Sequence, residues 1–183
     1  MHMIVSRFLR VFLLTGLAAV SFGSAITALA TEERLLALQY DVTGKRLFKI
    51  EANQLFQRAD EGMTWNAIPL PEDVNEGQLR AVSVPSTDPQ ALYIAGPSIG
   101  VQRSTDNGET WQELSANLPS REVTALAVHR RQNETLYAVI EEDGIYQSED
   151  AGTTWKKMDS GPSQKINRLV HSDMEGSMQT GWL

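Results

Sequence analysis

Two eight-residue segments repeat one pattern of hydroxyl, carboxylate and aromatic side chains, Ser-x-Asp-x-Gly-x-Thr-Trp. A carboxylate at the start of a tight turn accepts hydrogen bonds from backbone N–H groups just ahead of it, and Ser or Thr hydroxyls bond nearby backbone groups. Glycine supplies a positive φ, and the Trp ring buries a large apolar area. The pattern therefore predicts structural turns and no reaction centre. Its residues are Ser104, Asp106, Gly108, Thr110 and Trp111 in one copy and Ser148, Asp150, Gly152, Thr154 and Trp155 in the other.

A weaker copy of the pattern lies upstream, in the segment RADEGMTW. It keeps Asp60, Gly62, Thr64 and Trp65, but Arg58 stands where the other copies have Ser. Because the Ser hydroxyl is lost, we expect this turn to be looser than the others but still formed.

A second group with chemical potential is the acidic run Glu141, Glu142 and Asp143. Neighbouring carboxylates can serve glycoside hydrolysis or supply oxygen ligands to Ca²⁺. They can also form a solvated acidic turn, and the equivalent turn of the preceding repeat, Gly-Pro-Ser-Ile, has no acid at all. We interpret the run as a candidate binding loop, since loops of this kind carry recognition. We predict no catalytic residue, no metal site and no cofactor.

These residues lie on a repeat of about 44 residues. Leu79 to Trp111 aligns without a gap on Val123 to Trp155, and weaker copies lie upstream and from Ile166 onward. Within a unit, apolar residues alternate with a period of two between Gly- and Pro-bearing turns, which predicts short antiparallel strands. Four strands in such a unit are typical of a β-propeller blade.

The sequence thus predicts an all-β fold, an incomplete β-propeller of four-stranded antiparallel blades. We place blades at about 35–76, 77–120 and 121–164, with a fragment of a fourth at 165–183. Propellers usually close with four to eight blades, so about three blades and part of a fourth leave the ring open. An open end is expected to expose an unpaired apolar blade face, which tends to self-associate or to be disordered.

The repeated motif resembles the Asp-box, or bacterial neuraminidase, repeat found in sialidases, sortilin-type receptors and the photosystem II assembly and stability factor family. The resemblance covers about residues 36 to 183. In these families the Asp-box is a structural turn at the outer edge of the blades, so the resemblance implies a fold and leaves activity open.

A sialidase-like site would need an arginine cluster, a Tyr nucleophile with a Glu partner, and an Asp acid. The Arg-Ile-Pro signature of that family is absent, and Tyr93 and Tyr137 occupy equivalent strand positions that suit core packing. The arginines fall at different phases of the repeat and show no sign of convergence; they are Arg46, Arg58, Arg80, Arg103, Arg121, Arg130, Arg131 and Arg168.

Two functions are compatible with these features. The first is an exported, non-catalytic protein-binding or assembly scaffold, whose partner could be a membrane complex. The second is an exported sialidase-like glycoside hydrolase or carbohydrate-binding protein. The lack of a recognisable site favours the first.

The N-terminus predicts export. Arg7 and Arg10 precede an uncharged run, Val11 to Ala30, that ends in Ala-Leu-Ala. This pattern is typical of a secretory signal peptide, residues 1–30, cleaved after Ala30 to leave a partial propeller at 31–183 in the periplasm or outside the cell. The alternative is an uncleaved membrane anchor, because twenty residues could just cross a bilayer.

The composition narrows the range of partners. The formal net charge of −7 disfavours nucleic acid and anionic lipid surfaces, which attract clustered positive charge. With no Cys, the chain has no disulfides, thiolate nucleophiles or zinc-finger ligands. A protein partner or a glycan remains.

Overall fold

The computed structural model describes residues 35–72, 74, 78–129, 132–159, 161, 166, 168 and 169. The predicted signal peptide lies outside the described residues, as do Arg130, Arg131 and most of the predicted fourth fragment. The export signal and the predicted blade boundaries therefore stay predictions.

Twelve strands form three antiparallel four-stranded sheets, each with its strands in chain order. We call them blade 1 (β1–β4), blade 2 (β5–β8) and blade 3 (β9–β12). No helix occurs among the described residues, so the predicted all-β fold is confirmed. The strands are β1 (Leu35–Asp41), β2 (Arg46–Glu51), β3 (Gln54–Ala59), β4 (Asn66–Ile68), β5 (Ala81–Ser83), β6 (Leu92–Gly96), β7 (Gly100–Ser104), β8 (Gln112–Glu113), β9 (Val123–Val128), β10 (Leu136–Ile140), β11 (Gly144–Ser148) and β12 (Lys156–Lys157).

The core lies between neighbouring blades. Phe48, Ile50 and Leu55 of blade 1 cluster with Leu92 and Ile94 of blade 2. Blade 2 meets blade 3 in the same way, through a second cluster that includes Tyr93, Ala95, Val101, Leu136 and Ala138. We call the face of a blade that looks toward the blade before it in the chain its leading face, and the opposite face its trailing face. In blade 1, the trailing face is the one that packs against blade 2, and the leading face is the other.

Burial in the central blade differs from the predicted alternation. All five residues of β6 are buried, where a period of two would leave every second side chain exposed. The reason is that β6 has blade 1 on one side and blade 3 on the other, so both of its faces lie in a core.

Blade 3 also has a covered trailing face. Ala125, Val139 and Ile145 form a small core there, and Ile166 and Leu169 pack against it. Within the described part of the chain, no helix has the length and apolar character needed to cross a membrane.

Candidate functional site

The Asp-box of blade 2 is closed by side-chain hydrogen bonds. The Asp106 carboxylate accepts the Thr110 N–H at 2.9 Å and the Thr110 hydroxyl at 2.5 Å. The Ser104 hydroxyl donates to Asp106 at 2.7 Å and accepts the Gly108 N–H at 2.8 Å. Blade 3 repeats these bonds with Ser148, Asp150, Gly152 and Thr154 in the same roles.

The donors around each Asp stabilise its ionised form. The Thr110 hydroxyl, with the Thr110 N–H and the Ser104 hydroxyl, lowers the pKa of Asp106 from 3.8 to about 2. The pKa of Asp150 is lowered by the same kinds of donor, first the Thr154 hydroxyl. A carboxylate held in its ionised form by neighbouring donors suits a turn and not a general acid at neutral pH.

Each intact Asp-box also contacts the blade before it. The Trp111 indole N–H donates to the Pro69 carbonyl just after β4, and Trp155 donates to the Leu114 carbonyl just after β8, both at 2.8 Å. Gly108 has φ +90°, and a Cβ there would meet Ile68 of blade 1 at 2.2 Å. The Asp-box therefore joins neighbouring blades as well as closing its own turn.

The first copy forms its turn by different bonds. Asp60 accepts the Tyr40 hydroxyl at 3.1 Å, and its own N–H donates to the Lys45 carbonyl at 2.8 Å. Arg58, in the place of Ser, donates to the Gly62 carbonyl at 2.8 Å. Gly62 does not have the positive φ of Gly108 and Gly152. The sequence assigned it that role by analogy, but here the Gly62 N–H donates to the Ala59 carbonyl at 2.9 Å and no left-handed residue is needed.

In the acidic turn of blade 3, Glu141 to Asp143, one carboxylate is engaged in local hydrogen bonds. Asp143 accepts the Lys157 ammonium and the Tyr146 hydroxyl, each at 2.5 Å, and Lys157 and Tyr146 lower its pKa in that order. Glu141 and Glu142 are exposed. No three His, Asp or Glu side chains among the described residues are placed to hold a metal ion.

The tyrosines lack the environment of an activated nucleophile. Tyr93 is buried, Tyr137 is half-buried, and burial raises the pKa of both. The hydrogen bond to Asp143 raises the pKa of Tyr146 to about 12. A raised pKa keeps a phenol protonated, which is the opposite of what nucleophilic attack requires.

A cavity of about 600 Å³ lies along the innermost strands of the three blades. It is lined by residues 36–42, 80–84 and 124–128, with Ser86, Arg168 and Leu169. Its polar groups include Gln39, Ser83 and Thr124, and its apolar groups include Leu38 and Leu126. This volume falls in the range typical of ligand sites.

Two arginines line this cavity, although the sequence showed no convergence of arginines. Arg80 precedes β5, and Arg168 lies in the chain that follows blade 3; both are exposed. The carboxylate in the lining, Asp41, is buried and paired with Arg46 at 3.0 Å. The cavity therefore presents two cations in a chain of net negative charge.

The sequence missed this pair because the two residues occupy different repeat phases. Arg80 aligns with Thr124, and Arg168 aligns with Ala125. A search for arginines near the start of each innermost strand, without regard to exact phase, would have grouped them.

Family and fold comparisons agree on the architecture. A family model described as sortilin, neurotensin receptor 3, of the Sortilin-Vps10 type, matches residues 99–178, which contain both intact Asp-boxes. No curated protein sequence matches the chain.

Solved β-propeller structures superpose on most of the chain. The GH74 enzyme of Niastella koreensis gives a TM-score of 0.62 at 17% identity and covers 74% of this chain and 24% of that chain. YCF48 from Cyanidioschyzon merolae gives 0.53 at 22% identity, with 70% and 38% covered. A structure of YCF48 bound to a D1 peptide gives 0.54 at 20% identity, with 68% and 39% covered.

These matches confirm a β-propeller fold of four-stranded antiparallel blades that resembles the Asp-box type. The chain spans about a quarter to two-fifths of the length of these three solved structures. At such identities the likeness concerns the fold alone.

Proposed function

We propose that this chain is an exported, non-catalytic protein-binding propeller that holds an extended segment of a partner protein in the cavity along its innermost strands. The observation that carries the proposal is the cavity itself, with Arg80 and Arg168 exposed in its lining.

The lining suits a peptide better than a small rigid ligand. It combines residues of three edge strands, β1, β5 and β9, with hydroxyl and amide groups such as Thr124 and Gln39 and apolar side chains such as Leu38 and Leu126. An extended peptide alternates polar backbone groups with side chains of varied character, and it can satisfy such a lining along its length.

The charge of the cavity favours a segment with carboxylates. Arg80 and Arg168 can each donate two parallel hydrogen bonds to a carboxylate, which gives orientation as well as affinity. Since the rest of the chain is acidic, an acidic peptide should be attracted to this cavity and repelled elsewhere.

The comparisons support this choice at the level of the fold. YCF48, one of the similar propellers, has been solved with a peptide bound. The GH74 enzyme supports the alternative function, glycan binding or hydrolysis, because it shares the same fold. Tyr40, exposed beside the cavity, is the side chain that would serve a glycan.

The test is selection of peptides from a displayed random library by the full chain, followed by measured affinities for the selected peptides. Arg80→Glu and Arg168→Glu should each weaken binding at least about tenfold, as expected for loss of a charge-assisted pair. Lys156→Glu, an exposed change on β12 outside the cavity, is the matched control and should leave affinity unchanged. Equal binding by all three variants would rule out the cavity as the site.

Glycoside assays decide between the two functions. Turnover of a sialoside or another glycoside by the purified chain, lost in Glu142→Gln, would replace the scaffold proposal with the hydrolase. N-terminal sequencing of the protein recovered from the periplasm or medium tests export, and a start at Thr31 is the expected result.

A further inference from the structure

The strand registers place equivalent residues on the leading faces of the three blades. In the central two strands of each blade, two cross-strand pairs lie on the leading face. In blades 2 and 3 all eight of these residues are buried: Ile94 with Gln102 and Leu92 with Ser104, then Ala138 with Tyr146 and Leu136 with Ser148.

Blade 1 carries different chemistry at the same register positions. Lys49 pairs with Phe56, and Leu47 pairs with Arg58. A cation therefore replaces the buried Ile or Ala, and a second cation replaces the buried Asp-box Ser. The next strand continues the difference, since Leu38, which pairs with Lys49, is 51% exposed and Tyr40 is 41% exposed.

The two cations of blade 1 lie over aromatic rings of their own face. The Lys49 ammonium is 5.1 Å from the centroid of the Phe56 ring and 5.0 Å from that of Trp65, and the Arg58 guanidinium is 5.0 Å from Trp65. The Lys49 side chain is only 17% exposed, so most of it covers the surface of this face.

Polar partners for both cations are also supplied within blade 1. Lys49 pairs with Glu51 at 2.5 Å, and one terminal nitrogen of Arg58 donates to the Gly62 carbonyl at 2.8 Å, while Arg58 Nε is buried without a hydrogen-bond partner. The trailing faces that cover blades 2 and 3 present Phe48 and Ile50, or Tyr93 and Ala95. The carboxylate on the trailing face of blade 1, Asp41, is already paired with Arg46 at 3.0 Å, so it is not free for a second cation. Burying Lys49 and Arg58 under a face of that kind would remove their hydration without replacing it.

We propose that the leading face of blade 1 is a solvent-facing cap, in which Lys49 and Arg58 shield Phe56 and Trp65 and prevent docking of an ordinary Asp-box blade. The sequence predicted an exposed apolar blade face that self-associates; for the leading face of blade 1, the cap replaces that expectation. On this face of blade 1, Lys49 and Arg58 stand where blades 2 and 3 have buried docking residues.

The first experiment restores the docking surface in the full chain. Lys49→Ile with Arg58→Ser gives blade 1 the residues that blade 2 has at Ile94 and Ser104. We expect a concentration-dependent increase in sedimentation coefficient for this variant relative to the unchanged chain. Lys156→Ile with Arg121→Ser alters the same residue types at exposed positions of other blades, and it should sediment like the unchanged chain.

A folded restored variant that sediments like the unchanged chain would refute the cap, because the two cations would then not be what prevents docking. A second result would also refute the cap. If the unchanged chain is already associated and Lys49→Glu with Arg58→Glu dissociates it, the leading face of blade 1 is an interface between copies.

The second experiment uses the unchanged chain. It tests whether the leading face of blade 1 is exposed to solvent even if the Lys49→Ile, Arg58→Ser variant does not fold. Hydroxyl-radical footprinting of the unchanged, peptide-free chain should label Leu38 and Tyr40, while the buried residues of the same types, Leu79 and Tyr93, stay unlabelled. Protection of Leu38 and Tyr40 to the level of Leu79 and Tyr93 would show that the face is covered and would overturn the proposal.

Discussion

At the scale of single residues, Asp106 makes the stability of the fold depend on pH at the Asp-box turn. Its pKa lies at about 2 in the folded chain, against an ordinary value of 3.8, because Thr110 and Ser104 donate to its ionised form. A carboxyl with a lowered folded pKa stabilises the fold above its unfolded pKa, and this stabilisation is lost as pH falls toward the folded value. Between about pH 4 and pH 2, we therefore expect the Tm of the unchanged chain to fall more steeply than that of Asp106→Asn, as measured by circular dichroism.

The neutral variant removes the titration and keeps an acceptor oxygen, so the difference between the two Tm curves isolates this one group. At pH 7 the variant should have the lower Tm. Parallel curves over the whole range would mean that the Thr110 and Ser104 donors do not favour the ionised form in solution.

Gly108 combines a positive φ with a close neighbour, as Gly100 and Gly152 also do, whereas Gly144 has the positive φ alone. The φ of Gly108 is +90°, and a Cβ would also meet the Ile68 side chain at 2.2 Å; Gly144 has φ +131°, but its nearest neighbour would be Lys157 at 3.5 Å. Backbone strain of this kind costs about 1–3 kcal/mol. Gly144→Ala should cost that much in urea denaturation, and Gly108→Ala should cost more. Equal losses of unfolding free energy in the two variants would show that Ile68 of blade 1 moves to make room for the added methyl group.

At the scale of elements, the turn between β1 and β2 connects blade 1 to blade 2 through Arg46. Its guanidinium pairs with the fully buried Asp41 at 3.0 Å, donates to Asn107 in the Asp-box of blade 2 at 2.8 Å, and also donates to the Pro89 carbonyl. Removing one partner of a buried pair leaves an uncompensated charge.

Arg46→Ala should therefore lower the free energy of unfolding by about 3 kcal/mol, near the low end for a broken buried pair because the Thr43 and Gly44 N–H groups still bond Asp41. Arg121→Ala is the comparison variant: it removes the exposed pair with Glu113 and the bond to the Ile99 carbonyl at 3.3 Å, to which Gln102 still donates. It should cost about 1 kcal/mol. Urea denaturation measures both. Similar losses would mean that the contacts of Arg46 to blade 2 add nothing.

The strands and turns were predictable from sequence because they depend on local chemistry repeated at a fixed spacing. The four-strand order, the turns at Asp106 and Asp150, and the core position of Tyr93 all follow from the 44-residue repeat. The presence of Arg80 and Arg168 in the lining of one cavity was not predictable, since it depends on how successive innermost strands are placed in space.

The special face of blade 1 was visible in the sequence only in part. Arg58 stood out against Ser104 and Ser148, but its meaning requires the strand register, which places it beside Leu47 and near Lys49 on one face. The complete burial of β6 was also missed, because a period of two describes one sheet and not a sheet enclosed between two others.

At the scale of the whole molecule, the blades form a stack in which position decides how much of a sheet is covered. Blade 2 has a blade on each face, whereas blade 1 is covered by a blade on its trailing face and carries Lys49 and Arg58 on the other. In such stacks, stability is approximately a sum of the repeats and their nearest-neighbour contacts. Local opening should therefore cost more in blade 2 than in blade 1.

Native-state hydrogen exchange can measure this difference with a matched pair of strands. β2 and β6 occupy the same place in their sheets, each hydrogen-bonded to a strand on both sides, so they differ mainly in the cover of their faces. Amides of Tyr93 and Ile94 should exchange at least about tenfold more slowly than those of Phe48 and Lys49, which corresponds to about 1.4 kcal/mol in opening free energy. Equal rates would mean that the blades open together as one cooperative unit, and stability would then not follow the order of the stack.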